Sequence, residues 1–173
     1  MKLAITGHTS GLGDALYERF SPAIGFSRSN GYNIAAPDDR ARIVSAAADC
    51  DVFINNAYAG IAQVDLLYEI YAAWRDTNRL IINISSNSGD GIKTRPHIYA
   101  VHKAALDKAS QQLSYQKSSV RICNLRFGWL DTPRVSTINE AKISLVDAGD
   151  MIDMIINSST SGMITDLTML PKT

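Results

Sequence analysis

At 173 residues the chain fits one domain with room for a real core. Apolar residues make up 46% and charged residues 20%, an ordinary balance for a soluble globular protein. The 17 Lys+Arg match the 17 Asp+Glu, which argues against a general nucleic-acid or polyanion binder, and no apolar run approaches the roughly 20 residues needed to span a bilayer.

Lys2–Thr6 is a short apolar run that ends at glycine, and reads as a buried strand. It opens the chain directly, so no signal peptide is expected. Asp14–Phe20 has helical spacing, with Leu16 and Phe20 on one face, and Pro22 stops it. Ala23–Ser27 is a second strand, followed by the turn signal Ser29-Asn30-Gly31. Tyr32–Ile34 reads as a third, very short strand. Pro37-Asp38-Asp39 starts a helix that runs to about Ala48, with acids opposing the helix dipole. Asp51–Asn55 is a fourth strand. Ile61–Arg75 is a helix carrying Leu66, Leu67, Ile70 and Trp74. Leu80–Ile84 is a near-continuous apolar strand, as expected when both faces of a parallel sheet are covered. Ile98–Gln116 is the longest helix, Val120–Phe127 a strand, Asp147–Ile156 a helix and Met163–Leu170 a last strand.

Seven strands alternating with about five helices predict an α/β fold, a doubly wound, mostly parallel sheet with helices on both faces. The whole chain, 1–173, reads as one such domain. Strand carboxyl ends then lie along one edge, where sheets of this kind bind ligands. Cys50 and Cys123 have neither metal-ligand nor redox-motif spacing and read as reduced core residues, consistent with a cytoplasmic protein. His97 and His102 lack a carboxylate or cysteine at ligand spacing, so no metal site is expected. His8, Trp74 and Trp129 read as packing residues.

Thr6-Gly7-His8-Thr9-Ser10-Gly11-Leu12-Gly13 is a glycine-rich loop between the first strand and the first helix. Glycines there permit a tight turn, close approach of backbone to phosphate, and close packing of helix on strand. The helix amino terminus offers free N–H groups and the positive end of its dipole. The spacing differs from Gly-x-Gly-x-x-Gly.

Tyr99 and Lys103 stand at i and i+4 and share a helix face. A free phenol titrates near about 10, and a neighbouring ammonium lowers that value, which makes a usable general acid–base. Ser85 and Ser86 lie where the fifth predicted strand runs out, and a hydroxyl there can hold a carbonyl oxygen beside the phenol.

Taken together these motifs resemble the short-chain dehydrogenase/reductase family. The likeness runs nearly end to end. It covers Thr-Gly-x-x-x-Gly-x-Gly at Thr6–Gly13, Asn55-Asn56-Ala57, Ser86, Tyr99 with Lys103, and Gly128-Trp-Leu-Asp-Thr132 after the sixth predicted strand. The resemblance implies that Tyr99 passes the proton, that Lys103 lowers its pKa and holds the nicotinamide ribose, and that Ser86 orients the carbonyl. Gln63 is the nearest amide-bearing candidate for the family's relay asparagine. The implied cofactor contacts are Gly7, Ser10, Gly11, Leu12, Gly13, Asn56, Ala57, Tyr99, Lys103, Gly128 and Thr132. After the second strand the chain has Ser27-Arg28-Ser29 with no acid nearby. Arg28 offers a bidentate fork for a phosphate, so NADP is expected over NAD. Asn33 stands where an amide can contact adenine.

The chain departs from the family at Phe127, where proline is usual, at Tyr58, where glycine is usual, and in length. Only 133–146 connects Thr132 to the last helix, so the substrate flap is reduced. The implied function is an NADP-dependent oxidoreductase of a small carbonyl or alcohol. The rivals are a non-enzymatic NADP-binding sensor or partner-binding protein, and an isomerase or epimerase with retained cofactor. Apolar residues on the two helices at Ile61–Arg75 and Ile98–Gln116 exceed what one sheet face is expected to bury, which predicts a homodimer or homotetramer. Nucleic acid and membrane are not expected partners.

Overall fold

The structure, a computed structural model, describes residues 1–91, 95–158 and 162–172. Six of the predicted strands form: β1 (Leu3–Thr6), β2 (Ala23–Phe26), β3 (Val52–Asn55), β4 (Leu80–Ser86), β5 (Arg121–Phe127) and β6 (Asp166–Met169). They build one sheet in the order β2-β1-β3-β4-β5-β6, and every adjacent pair is parallel. Five helices connect them: α1 (Gly11–Arg19), α2 (Pro37–Ala46), α3 (Ala62–Trp74), α4 (Ile98–Ser114) and α5 (Leu145–Ile156).

The alternation of strand side chains divides the core in two. On one face Ala4, Phe53, Ile81 and Ile122 pack with Ile43, Leu67, Ile70 and Leu106 of α2, α3 and α4. On the other, Ile5, Ile54, Ile82 and Leu125 pack with Leu16 of α1 and Ile152 of α5. A parallel sheet covered on both faces is the doubly wound arrangement expected from the sequence.

Among the described residues the sheet has six strands, not the seven expected. Tyr32–Ile34 is not a strand. Its backbone is spent on turns: Tyr32 N–H donates to Ser27 O at 2.9 Å, Asn33 N–H to Asp39 Oδ2 at 2.9 Å, and Ala35 N–H to Asn33 Oδ1 at 3.1 Å. These bonds lead the chain into α2 before it can reach a sheet edge. The asparagine that punctuates the run competes with a ladder for the backbone donors.

The expected surplus of apolar residues on α3 and α4 also shrinks. Leu66, Leu67, Ile70, Trp74, Leu106 and Leu113 are all buried inside the monomer. α4 seats on β4 and β5, while α3 seats on β3 between α2 and α4, so the helices cover much of one another's apolar surface. Ile61, Tyr68 and Val101 remain exposed.

β1 connects to β2 on one side, and the chain then crosses to β3 on the other. The carboxyl ends of β1 and β3 therefore flank the point where the winding reverses, the usual ligand crevice of such sheets.

Candidate active site

The glycine loop lies in that crevice. Gly7 and Gly11 have φ of +73° and +56°, values that favour glycine. A Cβ on Gly13 would lie 2.1 Å from Gly7 O, so the loop folds back against α1 through space only a glycine leaves open. Ser10 is the N-cap of α1 yet makes no side-chain cap bond. The leading N–H groups of Gly11, Leu12 and Gly13 thus stay available to an anion. Ala57 N–H and Asn56 N–H both donate to Thr6 Oγ1 at 3.0 Å. The Asn56 amide donates to Thr6 O at 2.9 Å. Asn56 thus buttresses the loop from behind, while Ala57 follows it into the crevice.

Arg28 sits on a short 3-10 turn at the end of β2 and is exposed. It has no ion pair among the described residues. Ser27 and Ser29 hydrogen-bond to each other at 2.7 Å beside it. The Asn33 carbonyl is engaged with Ala35, which leaves its amide nitrogen for a ligand. Thr132 reaches the loop from the far side: its Cγ2 would be 3.2 Å from a Cβ on Gly11. Gly128 is pinned by a bond from its N–H to Met169 O at 2.9 Å. A tight glycine cradle and open helix N–H groups fit a dinucleotide, and the unpaired Arg28 stands one strand away.

Ser86, Tyr99 and Lys103 come together at the ends of β4 and α4. The Ser86 hydroxyl stands close enough to the Tyr99 phenol to favour its phenolate. Ser86 Oγ also accepts from Ser88 N–H at 3.2 Å, which caps the turn after β4. The Lys103 ammonium lies 5.5 Å from the centres of both the Tyr99 and the Tyr58 rings. It is 3% exposed and donates to Gln63 Oε1 at 2.9 Å and to Ile84 O at 2.8 Å. Gln63 is itself buried, held by bonds to Asn55 O at 2.8 Å and Ile84 O at 3.2 Å. The sequence-selected amide therefore faces inward and touches the lysine.

Burial pushes the Tyr99 phenol above its ordinary value, against the opposing pull of the nearby Ser86 hydroxyl and the Arg134 charge. Burial brings Lys103 down to about 7, with Asp107 pulling upward and Arg134 downward. The cation that acts most on the phenol here is thus Arg134, on the turn that follows Thr132.

Three participants carry weaker sequence signals. Asp107 continues the i, i+4 series of Tyr99 and Lys103 by one more turn, and that spacing marks it. Arg134 is marked only by its closeness to Thr132. Tyr58 hydrogen-bonds His102 Nδ1 at 3.0 Å and meets the Tyr99 ring edge-on at 4.9 Å. Its departure from the family's glycine is the only trace of that contact in the sequence.

No protein-family model matches the chain, and no curated protein does. Solved structures do. A short chain dehydrogenase from Burkholderia cenocepacia J2315, in complex with NADP, is 17% identical with a TM-score of 0.77, over 97% of this chain and 87% of that one. The 3-alpha-hydroxysteroid dehydrogenase from Pseudomonas sp. B-0831, complexed with NADH, is 17% identical with a TM-score of 0.81, over 98% and 94%. A short-chain dehydrogenase/reductase from Vibrio parahaemolyticus is 16% identical with a TM-score of 0.80, over 98% and 100%. The chain has the fold of these short-chain dehydrogenases.

Among the described residues no group of His, Cys, Asp and Glu could hold a metal ion. No helix among them is long and apolar enough to cross a membrane. Cys50 and Cys123 are free and buried, and burial pushes the Cys123 thiol up to about 12.

Proposed function

We propose that this chain is a short-chain dehydrogenase/reductase that uses NADP to interconvert a small carbonyl compound and its alcohol. The observation that carries the reading is the convergence of Ser86, Tyr99 and Lys103 beside the glycine cradle, at the carboxyl edge of the sheet. Similar structures hold NADP or NADH. The unpaired Arg28 favours NADP, whose extra phosphate matches its fork.

A bound nicotinamide would supply or accept the hydride at the carbonyl carbon. The chain does the rest. Ser86 donates a hydrogen bond to the carbonyl oxygen and orients it toward Tyr99. Tyr99 gives that oxygen its proton, and takes the proton back in the oxidative direction. Lys103, held by Gln63 and Ile84 O, stands beside the ring, and in its protonated form it favours the phenolate. Gly7, Ser10, Gly11, Leu12, Gly13 and Thr132 seat the dinucleotide, with Asn56 holding the loop and Ala57, Asn33 and Gly128 lining its path. Association into a homodimer or homotetramer through α3 and α4 belongs to the same reading, as does a cytoplasmic location.

The test is NADPH oxidation over a broad panel of carbonyl compounds, with NADPH binding followed by calorimetry. Turnover of any panel member, lost in Tyr99→Phe, supports the enzyme. Tight NADPH binding with no turnover across the panel favours the second reading, a binding protein on a reduced scaffold. The short 133–144 connection to α5 is the feature that favours it.

A further inference from the structure

The carboxylate of Asp107 is buried, lies two turns beyond Tyr99 on the same face of α4, and forms no ion pair among the described residues. A buried carboxylate is costly unless hydrogen bonds satisfy it, so its bonds show what it is for. Asp107 Oδ1 accepts from Ser85 Oγ at 2.5 Å and from Asn124 Nδ2 at 2.8 Å. Its Oδ2 faces Gly89, 3.4 Å from where a Cβ would stand. Gly89 in turn lies so close to α4 that its Cβ would meet Ala104 N at 2.9 Å. Ser85 immediately precedes Ser86, and Gly89 ends the turn that follows it. The backbone on both sides of Ser86 is therefore held against the helix that carries Tyr99.

We propose that Asp107 is a positioning residue, which locks the Ser86 end of β4 to α4 through Ser85 and so sets the distance between the Ser86 hydroxyl and the Tyr99 phenol. The inference rests on Ser86 and Tyr99 being the reacting pair. Neither Asp107 nor Ser85 touches the substrate in this scheme. One helix delivers the proton-bearing group and also, through a carboxylate two turns along, the hydroxyl that works with it. The charged groups that face Asp107 are Lys103 on its own helix, Arg126 on β5, Asp90 after the Gly89 turn, and Asp166 on β6 through the shared Asn124 amide. Arg134 faces Lys103 and Tyr99 from the far wall.

Two substitutions separate the link from the charge. Ser85→Ala deletes the link and leaves every charge in place. Asp107→Asn removes the charge and keeps an oxygen where Ser85 and Asn124 donate. The readout is the titration of Tyr99, followed by NMR on protein labelled with 13C at tyrosine Cζ and assigned with Tyr99→Phe. It needs no turnover. With Ser85→Ala, Tyr99 should titrate about one pH unit higher, because the Ser86 hydroxyl, which favours the phenolate, is no longer held beside it. With Asp107→Asn it should titrate at or below the wild-type value, since a negative charge has gone. On a panel substrate, Ser85→Ala should lower kcat about tenfold to 100-fold while NADPH affinity stays within about twofold. Ser85→Cys, whose thiol is a weak donor, breaks the link at nearly constant volume should the alanine variant fail to fold. A Ser85→Ala or Ser85→Cys protein whose Tyr99 titrates as in wild type overturns the inference. Absence of turnover in the wild type would instead sink the dehydrogenase reading, and the titration would still decide the role of Asp107.

Discussion

The phenol and the ammonium answer to burial in opposite directions. Tyr99 is raised by burial, so at neutral pH it is protonated and ready to donate. Carbonyl reduction should hold its rate through neutral pH and fall as pH rises past the Tyr99 value. Alcohol oxidation needs the phenolate and should rise over the same range, which paired pH–rate profiles will check. Tyr99→Phe should lower turnover by about 10²–10⁴-fold while NADPH still binds. Arg134→Gln should move both profiles to higher pH, because that guanidinium pulls the phenol down. Lys103 makes a separate statement about stability. Its folded value of about 7 lies below the value of about 10.4 expected when unfolded, so the unfolded chain binds more protons between them. Burying Lys103 therefore costs stability in full below about pH 7, and the cost fades as pH rises toward about 10. Chemical denaturation of wild type and Lys103→Met across this window should show wild type gaining on the variant as pH rises. A constant gap would mean that the lysine is not buried as described.

At the scale of elements, the turns after β1, β2 and β4 carry much of the proposed site. The β1–α1 loop works because it lacks side chains. Gly13→Ala would put a methyl group 2.1 Å from Gly7 O, a backbone atom that cannot swing away. The variant should lose about 1–3 kcal/mol of stability and most of its NADPH affinity, read by thermal melts with and without the cofactor. The β2 turn should set cofactor choice. Arg28→Ala should cost about 1.5–3 kcal/mol in NADPH binding, tenfold or more, and leave NADH binding unchanged. Calorimetry with both cofactors checks this. These turns were legible in the sequence because each is punctuated: glycines after β1, Ser27-Arg28-Ser29 after β2, paired serines at the end of β4. The Tyr32–Ile34 run misled because three residues carry too little periodicity to tell a strand from a turn. Gln63 was visible as an amide but not as a buried one. Its neighbours Ala62 and Val64 are also buried, so no polar–apolar alternation marks which way it faces. Asp107 was marked by its spacing but not as buried, because a carboxylate on a helix reads as solvent-facing until the strand beneath supplies its donors.

For the whole molecule, the alternation of strands and helices carried the architecture, and the number of strands was the one feature it overcounted. Association depends on what burial leaves over. With Leu66, Leu67, Ile70 and Trp74 consumed inside, a two-fold contact across α3 and α4 would rest on Ile61, Tyr68 and Val101. Sedimentation at micromolar concentration should show a dimer or larger species, and Val101→Glu should shift it toward the 18.8 kDa chain. A wild-type monomer that turns over substrate would dismiss the contact. Beneath the site, Asn55, Asn83, Asn124 and Asp166 lie side by side in register on four neighbouring strands. Asn55 donates to Asn83 at 3.0 Å, Asn83 to Ser110 at 2.9 Å, and Asn124 to Asp166 at 3.2 Å. Slipping any of these strands by one residue would turn an amide into the oily layer over α1 and α5, stripped of its partners. Isoleucines in the same row would tolerate such a slip more easily. The row therefore acts as a proofreader during assembly. A chain that reaches its stable state has already aligned β3, β4 and β5, and with them the ends that carry Ala57, Ser86 and Gly128. Misaligned copies would remain unstable and visible to proteases, so selection for a folded chain also keeps those ends in line.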